Sequence, residues 1–101
     1  MIRVISRKVP LYSSINFGMY VNKLSELVEI QPGFIKSESF WCRESNNIVS
    51  MSDWESKKDW ENWFNSNERN KIVKANENFV QEEHFHTLHK TNKNFHNFFL
   101  L

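Results

Sequence analysis

The chain has few of the features that mark a specialised class of protein. Its single cysteine, Cys42, cannot form a disulfide bond within the chain, which indicates a reducing compartment. No apolar run approaches the ~20 residues that a membrane-spanning helix needs. The first residues also lack the apolar stretch and cleavage site of a signal peptide. We therefore expect a cytoplasmic protein with no membrane partner.

An excess of charge of one sign is also missing. The 13 lysines and arginines nearly balance the 12 aspartates and glutamates, which leaves a formal net charge of +1. Such a chain has no general field to attract nucleic acid or anionic lipid. Arg69, Lys71 and Lys74 are expected on a solvent-exposed helix face, and no basic stripe alternates with aromatic residues. We expect no nucleic-acid partner.

Aromatic residues, in contrast, are abundant at 15 % of the 101 residues. The length gives room for one domain, residues 1–101, with one core. Trp54, Trp60 and Trp63 fall within ten residues of one another and are followed by Phe64. A buried indole N–H needs a hydrogen-bond partner. This cluster therefore predicts the wall of a pocket or an interface.

The first third of the chain predicts a strand followed by a helix. Apolar residues alternate loosely from Ile2 to Val9, and Pro10 stops the strand. Ser13 or Ser14 offers an N-cap for the helix. Its apolar residues recur at spacings of three and four, at Phe17, Tyr20, Val21, Leu24, Leu27 and Val28. Pro32-Gly33 ends this segment.

The middle of the chain predicts a β-hairpin. Its strands run from Phe34 to Arg43 and from Ile48 to Trp54, joined at Ser45-Asn46-Asn47, because asparagine tolerates left-handed dihedral angles. Strict alternation groups the residues of the first strand on two faces, Ile35, Ser37, Ser39 and Trp41 on one and Phe34, Lys36, Glu38 and Phe40 on the other.

The last part predicts a second helix and a final strand. Ser56 to Asp59 matches a capping box, with Asp in place of the commoner Glu. Ser66-Asn67 breaks or re-caps the helix. Val80 to Leu88 is the expected last strand, and residues 91–101 are expected to form a C-terminal arm or short helix.

The order of elements indicates an α+β protein. A βαββαβ succession fits the ferredoxin-like split βαβ fold, with an antiparallel sheet and both helices on one face. The other sheet face is then bare. If it carries residues such as Trp41 or Met51, it needs a cover, and a second subunit is the usual one. We therefore expect a homodimer.

Three segments resemble the antibiotic biosynthesis monooxygenase family, and the resemblance extends over about Ile2 to Arg69. They are Gln31-Pro32-Gly33-Phe34-Ile35, Asp53-Trp54-Glu55-Ser56 and Trp63-Phe64-Asn65-Ser66. The resemblance implies a dimeric α+β barrel, in which two ferredoxin-like subunits pack sheet against sheet and each holds a pocket between its sheet and its helices. Known members include cofactor-free oxygenases of quinols and anthrone-type polyketides, haem-degrading enzymes and isomerases. Membership therefore says more about fold than about reaction.

The haem-degrading branch is disfavoured. It uses an asparagine on the first strand, a tryptophan on the second helix and a histidine ten residues further on. These positions fall on Ser6, Trp63 and Val73, and only the tryptophan is present. Because valine cannot ligate iron, haem degradation by this arrangement is not expected. The resemblance to the cofactor-free oxygenases of the family implies that no cofactor is needed.

The resemblance implies a monooxygenase-type activity on a small quinol-like or polyketide-like aromatic substrate. Trp63 is expected to be the hydrogen-bond donor and the platform for a flat ring. The pocket is expected to include Ser6, Trp41, Trp54 and Phe64, although Trp54 is also a candidate core residue and Trp41 a candidate dimer contact.

His84 and His86 are two residues apart, so a strand places both on one face. Histidine titrates near neutral pH, and one of the two is the expected general base. Glu82 completes a Glu-x-His-x-His spacing, but no fourth ligand follows and we expect no metal. The alternative function is a non-catalytic dimeric barrel that binds a small apolar ligand or a protein partner.

Overall fold

The computed structural model describes residues 1–10 and 15–89, without the side chains of residues 15, 16 and 79–84. The elements are, in order, β1 (Ile2–Pro10), α1 (Ile15–Val28), β2 (Phe34–Cys42), β3 (Asn47–Trp54), α2 (Lys57–Phe64), α3 (Asn67–Ala75), a 3-10 turn (Glu77–Phe79) and β4 (Val80–His89). The predicted N-caps Ser13 and Ser14 and the predicted arm at residues 91–101 lie outside the described residues.

The four strands form one antiparallel sheet in the order β2-β3-β1-β4. Strand β1 is central, and its residue Ser6 lies opposite Ser50 of β3 and Phe85 of β4. Burial alternates along β1, with Val4, Ser6 and Lys8 buried beneath the helices. This strand order and succession of elements are those of the ferredoxin-like split βαβ fold. The predicted fold class is confirmed.

Helix α1 covers the sheet with the apolar stripe that the spacing predicts. Phe17, Tyr20 and Leu24 are buried in the core, and Val21 and Val28 pack against it. The stripe recurs every three or four residues, so one side of the helix faces the sheet over its whole length.

Strand β2 departs from strict alternation at its start. Phe34 pairs with Trp54, but the next pair is Lys36 with Asp53, so Ile35 is the extra residue of a β-bulge. The bulge turns Phe34 toward the helices, where its ring centroid lies 5.5 Å from that of Trp54 in an edge-to-face arrangement. The predicted grouping of Phe34 with Lys36 is therefore wrong, because a period of two fails across the extra residue.

Two turns contain residues with positive φ. Asn46 has a φ of 48°, which confirms its predicted place in the hairpin, and Gly33 has a φ of 81° between α1 and β2. The Gly33 carbonyl accepts a hydrogen bond from the Glu55 N–H at 2.8 Å. A Cβ atom at Gly33 would collide with the Asp59 carboxylate of α2. Both the dihedral angle and the lack of space favour glycine here.

Two serines begin the two helices that follow β3. The Ser56 hydroxyl accepts a hydrogen bond from the Asp59 N–H at 3.1 Å and donates one to the Asp59 carboxylate at 2.8 Å. The Ser66 hydroxyl accepts one from the Arg69 N–H at 3.1 Å. The predicted second helix is thus two short helices, and the expected break at Ser66-Asn67 is confirmed.

All of the core side chains in the described residues lie on the helix side of the sheet. They are Ile2, Val4, Phe17, Tyr20, Leu24, Trp54, Trp63 and Ile72. The opposite side, called the open face below, carries Ile5, Met51, Phe40 and Leu88, and the last two are 52 % and 48 % exposed. No helix within residues 15–89 is long and apolar enough to cross a membrane.

Candidate functional site

A cavity of about 90 Å³ lies between the helix side of the sheet and the helices above it. Its floor is formed by β1, β2 and β3, and α1 and α2 form its roof. Arg69 of α3 and Phe85 of β4 also line it. The cavity opens to solvent over β2, where Ser37 and Ser39 are exposed.

The roof is aromatic because α2 carries Trp60, Trp63 and Phe64 at helical spacing. The ring centroids of Trp60 and Phe64 are 5.1 Å apart, and that of Phe64 is 5.0 Å from Phe85. Trp63 is 7 % exposed. Within the described part of the chain, its indole N–H has no hydrogen-bond acceptor. That N–H is therefore free to bond a ligand.

The floor consists largely of serine hydroxyls. Ser39, Ser50 and Ser6 lie opposite one another on three neighbouring strands, and Ser37 lies opposite Ser52 in the next row. Neighbouring strands are ~4.8 Å apart, so the rows form a regular array. The Ser39 and Ser50 hydroxyls are hydrogen-bonded to each other at 2.9 Å.

Lys8, on β1, contributes a positive charge to the cavity wall. It is 7 % exposed, and its Nζ donates a hydrogen bond to Ser6 Oγ at 3.3 Å. The same ammonium lies 5.4 Å from the Phe85 ring centroid, within the range of a cation–π interaction. Lys8 was not among the predicted site residues, although alternation from Val4 through Ser6 places it on the same face.

Arg69 contributes a second positive charge from α3. It is 6 % exposed, and its guanidinium carbon lies 4.5 Å from the Phe64 ring centroid and 5.4 Å from that of Phe85. Its Nη1 also donates to the Phe64 carbonyl at 3.4 Å. The prediction of a solvent-exposed Arg69 is wrong, because Arg69 precedes the buried Ile72 by three residues and shares its helix face.

The structure brings three of the predicted site residues together at this cavity, namely Ser6, Trp63 and Phe64. Trp54 is instead fully buried in the core, and its indole N–H donates to Ser52 Oγ at 2.9 Å. It lies beside the floor on the helix side of the sheet and is not among the described cavity-lining residues.

Trp41 is also absent from this cavity. It is 61 % exposed and lines a separate hollow of about 220 Å³, together with Phe17 and Ile48. The reason is its position in the register. Trp41 pairs with Ile48 near the hairpin end of the sheet, beyond the row that contains Ser39.

The predicted histidines do not join the described cavity. His86 is exposed and pairs with Ile5 on the open face, whereas its neighbour Phe85 faces the cavity. His84 pairs with Arg7 through its backbone, and its side chain lies outside the described residues, as does that of Glu82. No histidine, aspartate or glutamate is among the described residues that line the cavity.

No group of three or more histidine, cysteine, aspartate or glutamate side chains within the described residues is placed to hold a metal ion. Cys42 lies at the hairpin, where the Ser45 hydroxyl donates to its sulfur at 2.9 Å. That hydrogen bond lowers the pKa of the thiol. Cys42 is not among the described cavity-lining residues, so this lowered pKa does not affect the candidate site.

A buried carboxylate on the open face ties β1 to β3. Arg3 binds Asp53 through two hydrogen bonds, Nε to Oδ1 at 2.7 Å and Nη2 to Oδ2 at 3.1 Å. The hydrogen bonds and charge of Arg3 hold the pKa of Asp53 below its usual range. Asp53 is therefore ionised at neutral pH and supports the sheet from the side opposite the cavity.

Comparisons with known proteins agree with the fold described above. The sequence model of the antibiotic biosynthesis monooxygenase family matches residues 16–91. None of the curated proteins compared with the sequence matches it. Among solved structures, the chain is similar to SnoaB, a cofactor-independent oxygenase from Streptomyces nogalater. The two are 12 % identical, with a TM-score of 0.79 over 91 % of this chain and 94 % of SnoaB.

Two further structures share the fold at similarly low identity. A conserved protein from Methanosarcina mazei Go1 is 15 % identical, with a TM-score of 0.78 over 89 % of this chain and 92 % of its own. Rv0793 from Mycobacterium tuberculosis is 10 % identical, with a TM-score of 0.78 over 91 % of this chain and 96 % of its own. Identities this low show a shared fold only. Because the family model covers most of the sequence, the chain belongs to the antibiotic biosynthesis monooxygenase family.

Proposed function

We propose that the protein is a cofactor-independent monooxygenase that acts on a small aromatic substrate in the cavity beneath Trp63. The observation that carries this proposal is an indole N–H without an acceptor among the described residues, at a cavity between sheet and helices. Family membership and the likeness to an oxygenase fold support it.

The reaction class needs no electron donor besides the substrate. A doubly benzylic CH₂ group loses two hydrogens and takes one oxygen atom, R₂CH₂ + O₂ → R₂C=O + H₂O. The substrate supplies all four electrons once it is deprotonated to an enolate or phenolate. The protein has to hold that anion, and hydrogen-bond donors aimed at the developing oxyanion do this. The proposal assigns that role to the Trp63 N–H.

The general base is a separate question. His86 is given no role at the cavity of its own subunit, because it lies on the open face. His84 stays a predicted base. A substrate acidic enough to lose its proton to solvent at the open side of the cavity would need no such group.

The size of the cavity limits the substrate. Sites for drug-sized ligands are about 300–1,000 Å³, whereas this cavity is about 90 Å³. We propose that a single aromatic ring enters the cavity, and that any larger part of the substrate lies over the exposed Ser37 and Ser39.

Oxygen uptake by the purified full chain, measured with a panel of hydroquinones and anthrones, tests the proposal. We expect uptake with at least one of them, and about a hundredfold loss in Trp63→Phe, the usual effect of removing one oxyanion donor. Trp41→Phe is the matched control, because Trp41 lies at a different hollow. No uptake with any compound, or full activity in folded Trp63→Phe, would contradict the proposal.

The alternative is a non-catalytic barrel that binds a small apolar ligand. The absence of histidine, aspartate and glutamate from the described cavity lining favours it. Thermal stabilisation by the same aromatic compounds without oxygen uptake would select this alternative.

We further propose that the open face is the contact surface of a homodimer. Phe40 and Leu88 are half exposed there, and Ile5 and Met51 lie between them in the sheet. The four residues form an apolar diagonal across a face that no described helix covers, flanked by charged residues, namely Arg3, Arg7, Lys36 and Glu38. An apolar strip with a polar rim is typical of a protein–protein contact. Sedimentation at low micromolar concentration is expected to give the dimer mass for the native chain and the monomer mass for Leu88→Lys.

Ile30→Lys is the control for the dimer. Ile30 is 75 % exposed and follows α1, away from the sheet. It should leave the dimer intact although it introduces the same charge. A monomeric native chain, or equal effects of the two substitutions, would rule out this interface.

A further inference from the structure

The hydrogen atoms of the floor hydroxyls can be assigned from the chemistry of their partners. An ammonium and an indole N–H can only donate. Since Lys8 donates to Ser6 Oγ, and Trp54 Nε1 donates to Ser52 Oγ, both serine oxygens act as acceptors. Each hydroxyl keeps its own hydrogen. No acceptor for either hydrogen is found among the described residues.

The Ser39 and Ser50 pair leads to the same conclusion. One hydroxyl donates to the other at 2.9 Å, so the pair uses one hydrogen and keeps the second. Ser37 and Ser25 are the other two serines among the described cavity-lining residues, and Ser25, on the roof, differs in this respect. Ser25 donates its hydrogen to the Val21 carbonyl within α1, at 3.0 Å.

From this polarity we infer that the serine floor is an array of hydrogen-bond donors that selects an aromatic ligand bearing carbonyl or deprotonated hydroxyl oxygens, with Ser6 and Ser52 as specificity-determining residues. The Trp63 N–H adds a donor from the roof. A ring between floor and roof then meets donors on both sides. A ligand whose oxygens carry hydrogens, such as a neutral phenol, would use these donors less well.

The inference deepens the proposed function and rests on it only in assuming that the cavity holds an aromatic compound. Ser6 and Ser52 are diagonal neighbours on adjacent strands, because Ser6 pairs with Ser50 and Ser52 pairs with Val4. Diagonal neighbours of this kind are ~7–8 Å apart. Two oxygens on opposite edges of one ring suit this spacing better than two on adjacent carbons.

Acetophenone and α-methylstyrene are suitable probes, because they have the same planar shape and differ in a C=O against a C=CH₂ group. We would measure both dissociation constants on the full chain by titration calorimetry. The selectivity ratio is the dissociation constant of α-methylstyrene divided by that of acetophenone. We compare this ratio between the native chain and the Ser6→Ala/Ser52→Ala variant. Loss of a hydrogen bond of ordinary strength predicts a fall of about threefold to tenfold in this ratio.

Ser25→Ala is the matched control within the same cavity. Its hydroxyl hydrogen is already used in α1, so the selectivity ratio should stay at the native value. An equal ratio in all three proteins would overturn the inference. So would a failure of acetophenone to bind the native chain at millimolar concentration.

A second measurement needs no variant and covers the case in which the double variant does not fold. The carbonyl carbon of ¹³C-labelled acetophenone moves downfield when the oxygen accepts hydrogen bonds. We expect the signal of the bound ligand downfield of its position in cyclohexane, and a signal at the cyclohexane position would overturn the inference. Neither probe has to react with oxygen. A chain that shows no oxygen uptake can therefore still bind acetophenone as expected, and a chain that takes up oxygen can still fail the binding test.

Discussion

The two glycines of the chain should respond in opposite directions to the same substitution, Gly→Ala. At Gly33 the φ of 81° costs an L-residue ~1–2 kcal/mol. The new methyl group would also collide with the Asp59 carboxylate, which is hydrogen-bonded to Ser56 at the start of α2. Loss of such a cap costs ~1 kcal/mol. We expect Gly33→Ala to lower the free energy of unfolding by about 2–3 kcal/mol.

Gly18 is the matched control. It lies within α1, and a Cβ atom there would meet no heavy atom within 4 Å. Alanine is the better helix former by ~1 kcal/mol, so Gly18→Ala should stabilise the chain by up to that amount. The two variants should therefore differ by ~3 kcal/mol in urea unfolding followed by circular dichroism, a gap well outside the error of the method.

A double-mutant cycle separates the two causes at Gly33. In an Asp59→Gly background the colliding Cβ and carboxylate atoms are all absent, and only the cost of the positive φ remains. The penalty for Gly33→Ala should then fall to ~1–2 kcal/mol. If Gly33→Ala costs less than ~0.5 kcal/mol, the size of an ordinary surface substitution, the reasoning about this turn is wrong. An unchanged penalty in the Asp59→Gly background would contradict the collision.

Three further predictions concern stability. Trp63→Ala should cost ~3–5 kcal/mol in urea unfolding, because it empties a buried position, and a cost below ~1 kcal/mol would show that the site collapses freely. Ser66→Ala should cost ~1 kcal/mol, since the Arg69 N–H loses its cap at the start of α3, and an unchanged midpoint would contradict this. Asp53 has a pKa in the folded chain below its unfolded value, so its pairing with Arg3 stabilises the fold above about pH 4 and is lost as the pH falls through the folded pKa. Thermal melting from pH 7 to pH 2 should therefore show a steeper loss for the native chain than for Asp53→Asn, and parallel curves would refute it.

Most of the fold follows from local patterns in the sequence. The 3.6-residue stripe of α1, the Asn46 turn and the serine caps each rest on contacts between residues near one another in the chain. Such contacts depend little on the rest of the molecule, so sequence reasoning finds them. The bulge at Ile35 is different, because it becomes visible only when the register against β3 is known. That register is set by tertiary packing of Phe34 on Trp54.

The candidate site was predictable only where it depends on local spacing or on the family resemblance. Trp63 follows from the family resemblance and from its spacing on α2. Arg69 was assigned to the wrong surroundings, and the predicted site residue His86 lies on the open face, because a period gives the residues that share a face but does not say which face meets the core. Which face meets the core is decided by contacts with residues far away in the sequence. For His86 it is set by pairing with β1, and for Arg69 by the turn that separates α3 from α2.

Stability explains the serine floor only in part, since Ser6 and Ser52 accept hydrogen bonds from the buried donors of Lys8 and Trp54. Ser6, Ser50 and Ser52 occupy inward positions of the two central strands, where valine or isoleucine would pack better and favour the strand more strongly. Each serine gives up apolar burial and leaves space beneath the helices. A sequence that departs from local rules at several neighbouring positions is expected to do so at a functional site. The same short side chains that weaken the core leave room for the cavity. Lys8 and Trp54 donate to the oxygens of Ser6 and Ser52, so the two hydroxyl hydrogens are left without an acceptor among the described residues. The serine hydroxyls with unpaired hydrogens line the cavity itself. A ligand that accepts hydrogen bonds therefore explains the floor better than packing does.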